Sequence, residues 1–378
     1  MKIKTLSTDI EIKKYLQRIN VDHGGISILE AKGKSYFILI EDLHVGAANI
    51  LKQDALSIGA DVAVPRGTII AQDPSVDVMI IATKRHLEKL VKKLKAQPFG
   101  LKELGEYLYK LTTVKKHPFS LMGIINANDD SFYPGSRFVG KKAVVKIEKM
   151  IEDGADIIDI GGVSSRPGAK EVSPQEELER VKDIIDIISS QKLYEKVRFS
   201  IDSYRANVVA YALENGFEIV NDITGLKDDA VAKLCGSYNA TAVIMHMQGT
   251  PKTMQNNPTY EDVVSDVYSF FQTQIKKAQQ FGIKDIVLDV GIGFGKSLEH
   301  NLELLRSLEH FQTLGYPLLV GASRKSLIDK ITPSDIEDRL GGSIAIHLLA
   351  YKNGADILRV HDVYEHKQAL EVYKAIYE

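Results

Sequence analysis

Asp202, Asn221, Asp289 and Lys325 are residue types suited to reading a flat heterocycle. Carboxylates accept from a guanidine-like N–H edge, an amide donates and accepts side by side, and a lysine donates to a ring carbonyl or nitrogen. Arg359 and His361 alternate in LRVHDV (358–363), so on an extended segment they face the same way and suit an anion clamp. The set fits an aminopyrimidinone carrying an anionic group. No Ser/His/Asp order and no paired-histidine metal signature competes with it. DVGIGFGKS (289–297) is not a phosphate loop, because three residues separate Gly291 from Gly295 where four are needed. It lacks the third glycine of the dinucleotide fingerprint as well. Its glycines read instead as a sharp turn lying close to a flat ligand. The single His246 reads as a satisfied core histidine.

These residues need elements to gather them. From about residue 117 onward, short apolar runs rich in β-branched residues recur: SLMGIINA, ADIIDIGG, VRFSIDS, EIVNDITG, TAVIMHM, DIVLDVGIGFG, PLLVGAS and DILRVHDV. Most are separated by stretches with apolar residues at helical spacing, such as PQEELERVKDIIDIISS. Strands alternating with amphipathic helices imply parallel βα units. Eight units at even spacing favour an α/β fold closed as a (β/α)8 TIM barrel over a doubly wound open sheet. Nearly every run ends on a polar residue: Asn126, Arg166, Asp202, Asn221, Asp222, His246, Asp289, Ser323 to Lys325, then Arg359, His361 and Asp362. Any one of these could be a strand end meeting solvent. A barrel turns all such ends to one mouth, so the set reads as a site.

Residues 1–115 read as a small α/β domain of unassigned role, ahead of a barrel over 116–378. Its strand-like runs are ISILEA, YFILIE, DVAVPRG and VDVMIIAT, and its helix-like runs are NILKQDALSIG and HLEKLVKKLKAQ. KRHLEKLVKKLK is basic and reads as a solvated helix face. The junction falls near KLTTVKKHPFS. The net charge of −2 gives no basic field for nucleic acid, and 44% hydrophobic residues suit a folded core. The lone Cys235 excludes an intrachain disulfide and fits a reducing compartment. With no signal-like N-terminus and no run long enough to span a membrane, the expected location is the cytoplasm.

The stretches MGIINANDDSF, GADIIDIGGVSSRPGA, SIDSYRANV, IVNDITG, MHMQGTPKTMQ, LDVGIGFGK, GASRKSLI and GADILRVHDV occur in an order that resembles the dihydropteroate synthase family. The resemblance covers roughly residues 117–378 and is specific as a set. Single pieces also occur in methyltetrahydrofolate methyltransferases. It implies a transferase of folate biosynthesis that joins 6-hydroxymethyl-7,8-dihydropterin diphosphate to 4-aminobenzoate, releasing diphosphate and 7,8-dihydropteroate. By the same resemblance Asp202, Asn221, Asp289, Lys325 and Arg359 read the pterin. Asn126, Arg166, Arg359 and His361 hold the diphosphate, with Asn126 meeting a magnesium ion. Ser165, Arg166, Pro167, Phe294 and Ser326 surround the aminobenzoate. Asp202, Lys325 and Arg359 carry the catalytic roles. A homodimer acting on small molecules is implied, without nucleic acid or membrane.

Two loops depart from the family pattern. Where the family reads NVTPDSFSDGG, this chain has NANDDSFYPGS, so Asn128-Asp129 and Tyr133-Pro134 are changed while Asn126, Asp130, Ser131 and Phe132 stay. Where the family reads ESTRP it has VSSRP, with Val163 for an acid and Ser165 for a threonine. The first change motivates a rival reading, a pterin-binding protein without turnover. A corrinoid-dependent methyltransferase is the other rival; GASRKS and the SSRP segment argue against it, because methyl transfer has no diphosphate to hold.

Overall fold

The computed structural model describes residues 3–127, 137–163 and 172–377, with side chains left out for 137–141. The chain divides into two compact units, Met1–Lys115 with Tyr373–Glu378, and Lys116–Val372.

In the first unit β1 (Ser35–His44), β2 (Asp61–Ala63) and β3 (Ser75–Thr83) form an antiparallel sheet in the order β1-β3-β2. Alternation in β3 buries Val76, Val78, Ile80 and Ala82 and exposes Met79 and Ile81. The buried side meets Leu51 of helix Val45–Leu56, Leu87, Leu90 and Leu94 of helix Lys84–Leu94, and Leu101 and Leu108 of helix Leu101–Thr112. Each such leucine contributes about 1.5–3 kcal/mol when fully buried. The lysines at 89 and 92 stay exposed, as a solvated basic face requires. ISILEA differs from its strand-like reading: it lies within helix His23–Gly33. The Asp22 carboxylate accepts from Gly24 N at 2.9 Å and caps that helix. Leu29, Glu30, Ala31 and Lys32 are good helix formers, and together with the cap they outweigh the β-branched pair.

In the second unit eight parallel strands close into a barrel: β4 (Ser120–Asn126), β5 (Ile157–Gly161), β6 (Arg198–Asp202), β7 (Ile219–Asp222), β8 (Thr241–Met245), β9 (Ile286–Asp289), β10 (Leu318–Val320) and β11 (Ile357–Val360). Neighbours in sequence are neighbours in space, and β11 pairs β4 to close the ring. The outward residues, Phe199, Val220 and Leu288 among them, pack under helices that bury Phe271 and Phe311. Inside, Met122, Ile157, Ile219, Val243, Val287, Leu319 and Ile357 make one apolar layer. Two residues further along its strand each inward chain emerges on the same face. From Ile157, Ile219, Val287 and Ile357 that step gives Asp159, Asn221, Asp289 and Arg359. The apolar plug is therefore capped by a polar floor that faces the mouth. The runs read as long strands are shorter in the structure: β9 stops at Asp289, and 290–295 form the loop beyond it.

Candidate active site

Arg359 organises this floor. Its Nε donates to Asp159 Oδ2 at 2.6 Å and its Nη2 to Asp202 Oδ2 at 2.7 Å. Asn221 Nδ2 donates to the same Asp159 oxygen at 3.1 Å. Asp159 is 0% exposed, and its Oδ1 is buried without a protein partner, as is Asn221 Oδ1. An unmet buried acceptor costs about 1–3 kcal/mol, so two of them beneath an open mouth point to a ligand that donates. Burial raises the Asp202 carboxyl to about 7; Arg359 opposes that, while the Asp159, Glu177 and Asp222 charges add to it. Asp289 is raised by burial against the pull of Lys325 and of the hydrogen bond from Gly291 N, 2.8 Å long.

Lys325, in the turn after β10, reaches across to the loop after β9. Its Nζ donates to Ile292 O at 2.5 Å and sits 4.6 Å from the centre of the Phe294 ring. Burial lowers it to about 8, with Asp289 pulling the other way. The 290–295 loop is fixed from below by Lys296, which is 1% exposed. Its Nζ reaches His246 Nδ1 at 3.0 Å and the carbonyls of His246 at 3.2 Å, Gly291 at 3.0 Å and Phe294 at 3.0 Å. Gly291 has φ +70, and a Cβ there would stand 1.9 Å from His246 O. That position must be glycine so that the β8 and β9 loops can touch.

The remaining expected residues are placed as follows. Asn126 ends β4, half-buried and in register with Gly161. His361 follows β11; its backbone N–H donates to Ser323 Oγ at 3.3 Å and its Nδ1 lies 2.9 Å from the same oxygen. Burial lowers His361 to about 4, helped by Arg359, so the ring is neutral at pH 7. Phe294 is buried with Ile223, Met245, Met247 and Met254, and Tyr204 packs on them. Ser326 opens helix Ser326–Ile331 and is exposed. Ser165, Arg166 and Pro167 lie outside the described residues, as do Asn128, Asp129, Asp130, Ser131, Phe132, Tyr133 and Pro134.

Arg324, next to Lys325, takes no part in the floor. It forks onto Asp362 at 2.9 and 2.8 Å and donates to the carbonyls of Ile336 at 3.1 Å and Glu337 at 2.8 Å. The residue that sequence reasoning missed is Asp159. Its signal was available: an acid within the apolar run IIDIG, two positions past an inward isoleucine.

The pterin-binding enzyme family matches residues 122–361. This chain belongs to that family. It is 41% identical over 379 residues, the whole of both chains, to a bifunctional dihydropteroate synthase/dihydropteroate reductase of Helicobacter pylori. A dihydropteroate synthase of Haemophilus influenzae is 43% identical over 68% of this chain and 93% of its own. The solved structure of Xanthomonas albilineans dihydropteroate synthase with 4-aminobenzoic acid is 37% identical, with TM-score 0.63, and covers 68% of this chain and 93% of that one. Within a pterin-binding enzyme the polar floor takes on meaning: its unmet acceptors and paired carboxylates match a ring edge rich in N–H groups. Among the described residues no helix is long and apolar enough to cross a membrane.

Proposed function

We propose that the barrel is a dihydropteroate synthase, a transferase of folate biosynthesis that condenses 6-hydroxymethyl-7,8-dihydropterin diphosphate with 4-aminobenzoate. The observation that carries the residue assignment is the floor of Asp159, Asp202, Asn221 and Asp289 around Arg359, with Asp159 Oδ1 and Asn221 Oδ1 unmet. The pterin amino group and ring N–H supply donors to these oxygens. Lys325 donates to the ring carbonyl or nitrogen. Arg359 and His361 face the diphosphate. Phe294 and its methionine neighbours give an apolar wall to the aromatic amine, and Ser326 lies where its carboxylate ends.

In the reaction the bond from the pterin methylene to the diphosphate oxygen breaks, and the electron pair leaves with diphosphate. The aniline nitrogen forms the new C–N bond and then loses a proton. Asp202 and Asp159 stabilise the positive charge that grows on the pterin, while the cationic groups stabilise the leaving anion. A neutral aromatic amine is nucleophilic enough to need no strong base. A magnesium ion would supply further charge neutralisation at the diphosphate. Asn126 would hold it through its amide oxygen, a donor type that suits a hard cation. Among the described residues no group of three His, Cys, Asp or Glu is placed to hold a metal.

Purified protein mixed with magnesium, pterin diphosphate and 4-aminobenzoate should release diphosphate and form dihydropteroate in equal amounts. Tight pterin binding without product would make it a non-catalytic binder instead. Lys325→Ala should weaken pterin diphosphate binding by about 1.5–3 kcal/mol, the scale of a charged hydrogen bond. Calorimetry on both sides of pH 8 gives a second check. Below about 8 the ammonium is present and donates; above it the proton leaves and affinity should fall in the wild type but not in the alanine variant.

A second reading concerns the first unit. The Helicobacter pylori relative named for both a synthase and a reductase matches this chain from end to end, front unit included. A dihydropteroate reductase activity of the full chain is tested by supplying dihydropteroate with a reduced flavin or nicotinamide donor. Formation of tetrahydropteroate would support it, and unchanged dihydropteroate would refute it.

A further inference from the structure

We propose that Ser343 and His347, backed by His366, form a template that holds the turn aiming Lys325 into the mouth. They would be positioning residues that never touch substrate. The turn needs holding: Arg324 has φ +54, a left-handed backbone that non-glycine residues avoid. Arg324 swings outward to Asp362, and Lys325 on the far side of the kink swings in to Ile292 O.

Ser343 and His347 are four residues apart in helix Leu340–Lys352 and so share one face. That face catches two backbone donors of the turn. Ala322 N–H donates to His347 Nε2 at 3.0 Å, and Arg324 N–H to Ser343 Oγ at 2.8 Å. The Ser343 hydroxyl passes its own proton to Arg339 O at 2.8 Å. The histidines are fixed in turn. His366 Nδ1 lies 2.6 Å from the Asp362 carbonyl, which can only accept, so Nδ1 carries the proton. His366 Nε2 is then an acceptor, 2.9 Å from His347 Nδ1, which must donate. That leaves His347 Nε2 bare for Ala322 N–H. Each donor has one acceptor and the chain reads in one direction only. Both rings and Ser343 are buried, and burial lowers both histidines, keeping them neutral. The template thus joins Ala322, two residues past β10, to Asp362, two residues past β11, and sets Lys325 relative to Arg359 and His361.

The inference rests on the reading of Lys325 as a pterin contact, so the experiment is a double-mutant cycle on the full chain. His347→Leu removes acceptor and donor; His347→Gln keeps one of each. His347→Leu should raise KM for pterin diphosphate tenfold or more while shifting KM for 4-aminobenzoate less than threefold, and His347→Gln should recover most of the loss. Once Lys325→Ala is in place, adding His347→Leu should change KM for pterin diphosphate by less than threefold, because the residue it aims is gone. Multiplying effects in the double variant would overturn the template. So would a lowered Tm with both KM values unchanged. If Lys325→Ala alone leaves pterin binding intact, the Lys325 reading fails and the template falls with it. Should His347→Leu not fold, Ser343→Ala, which frees the Arg324 N–H and removes the bond to Arg339 O, enters the same cycle with the same criteria.

Discussion

Arg359→Ala should lower stability by about 3–5 kcal/mol and cut kcat/KM about a thousandfold or more. Removing one partner of a buried ion pair costs in this range because the other charge is left without compensation. Here two carboxylates are stranded. Asp159 is 0% exposed and keeps only the amide of Asn221, while Asp202, already raised to about 7 by burial, loses the charge that most opposed the shift. Protonation would relieve part of the strain, and this fixes the pH dependence. Without Arg359 the folded-state Asp202 titrates higher still than in the wild type, so above neutral pH the variant binds a proton that the wild type does not. Its stability deficit should therefore shrink as pH falls from alkaline values towards about 7, where Asp202 takes up its proton in the wild type as well. Urea denaturation at two pH values measures this. A deficit that stays constant or widens over that range would mean Asp202 finds another cation. Arg359→Met with Asp159→Asn should regain stability but not turnover, since the first is set by charge balance and the second by the guanidinium facing the substrates.

Why this floor was only partly legible in the sequence follows from what sets it. Asp202, Asn221 and Asp289 end apolar runs, and a strand end in a barrel is legible because closure sends all such ends to one mouth. Asp159 sits two residues before its strand's glycine pair, amid isoleucines, and only the barrel's inward alternation separates it from them. The roles of Arg324 and Lys325 could not be split by spacing. They are adjacent, and a left-handed turn held by a distant helix decides which one enters the mouth. ISILEA was misread for a related reason: its β-branched pair suggested a strand, yet the Asp22 cap and the residues after it settle a helix. His246 is buried, as expected of a core histidine, but what satisfies it is Lys296 from fifty residues away. Composition and periodicity are local properties, whereas each of these outcomes is a tertiary contact that overrides them.

That last contact carries the second large effect. Lys296→Met should destabilise the barrel by about 2–4 kcal/mol and loosen pterin binding with it. Two terms compete. Burial lowers Lys296 from 10.5 to about 7, so at 1.36 kcal/mol per pH unit its charge is held at a cost on the order of 5 kcal/mol, which methionine avoids. Against this, methionine leaves the carbonyls of His246, Gly291 and Phe294 without a donor and takes away the partner of His246 Nδ1. An ammonium has three hydrogens, so at about 1–3 kcal/mol each three stranded carbonyls outweigh the saving in the upper part of that range. The carbonyls belong to the two loops that meet at Gly291, and that loop presents Ile292 O and the Phe294 ring to Lys325. Loss of the cage should therefore reach the mouth, lowering pterin affinity about tenfold. Denaturation and calorimetry on the same variant decide the matter. Wild-type stability with weakened binding would mean water has entered and met the carbonyls while the loop still moved. Lost stability with unchanged affinity would mean the loop is held by its glycine geometry and the Asn301 contact to Gly293 N, at 2.7 Å, rather than by the lysine beneath it.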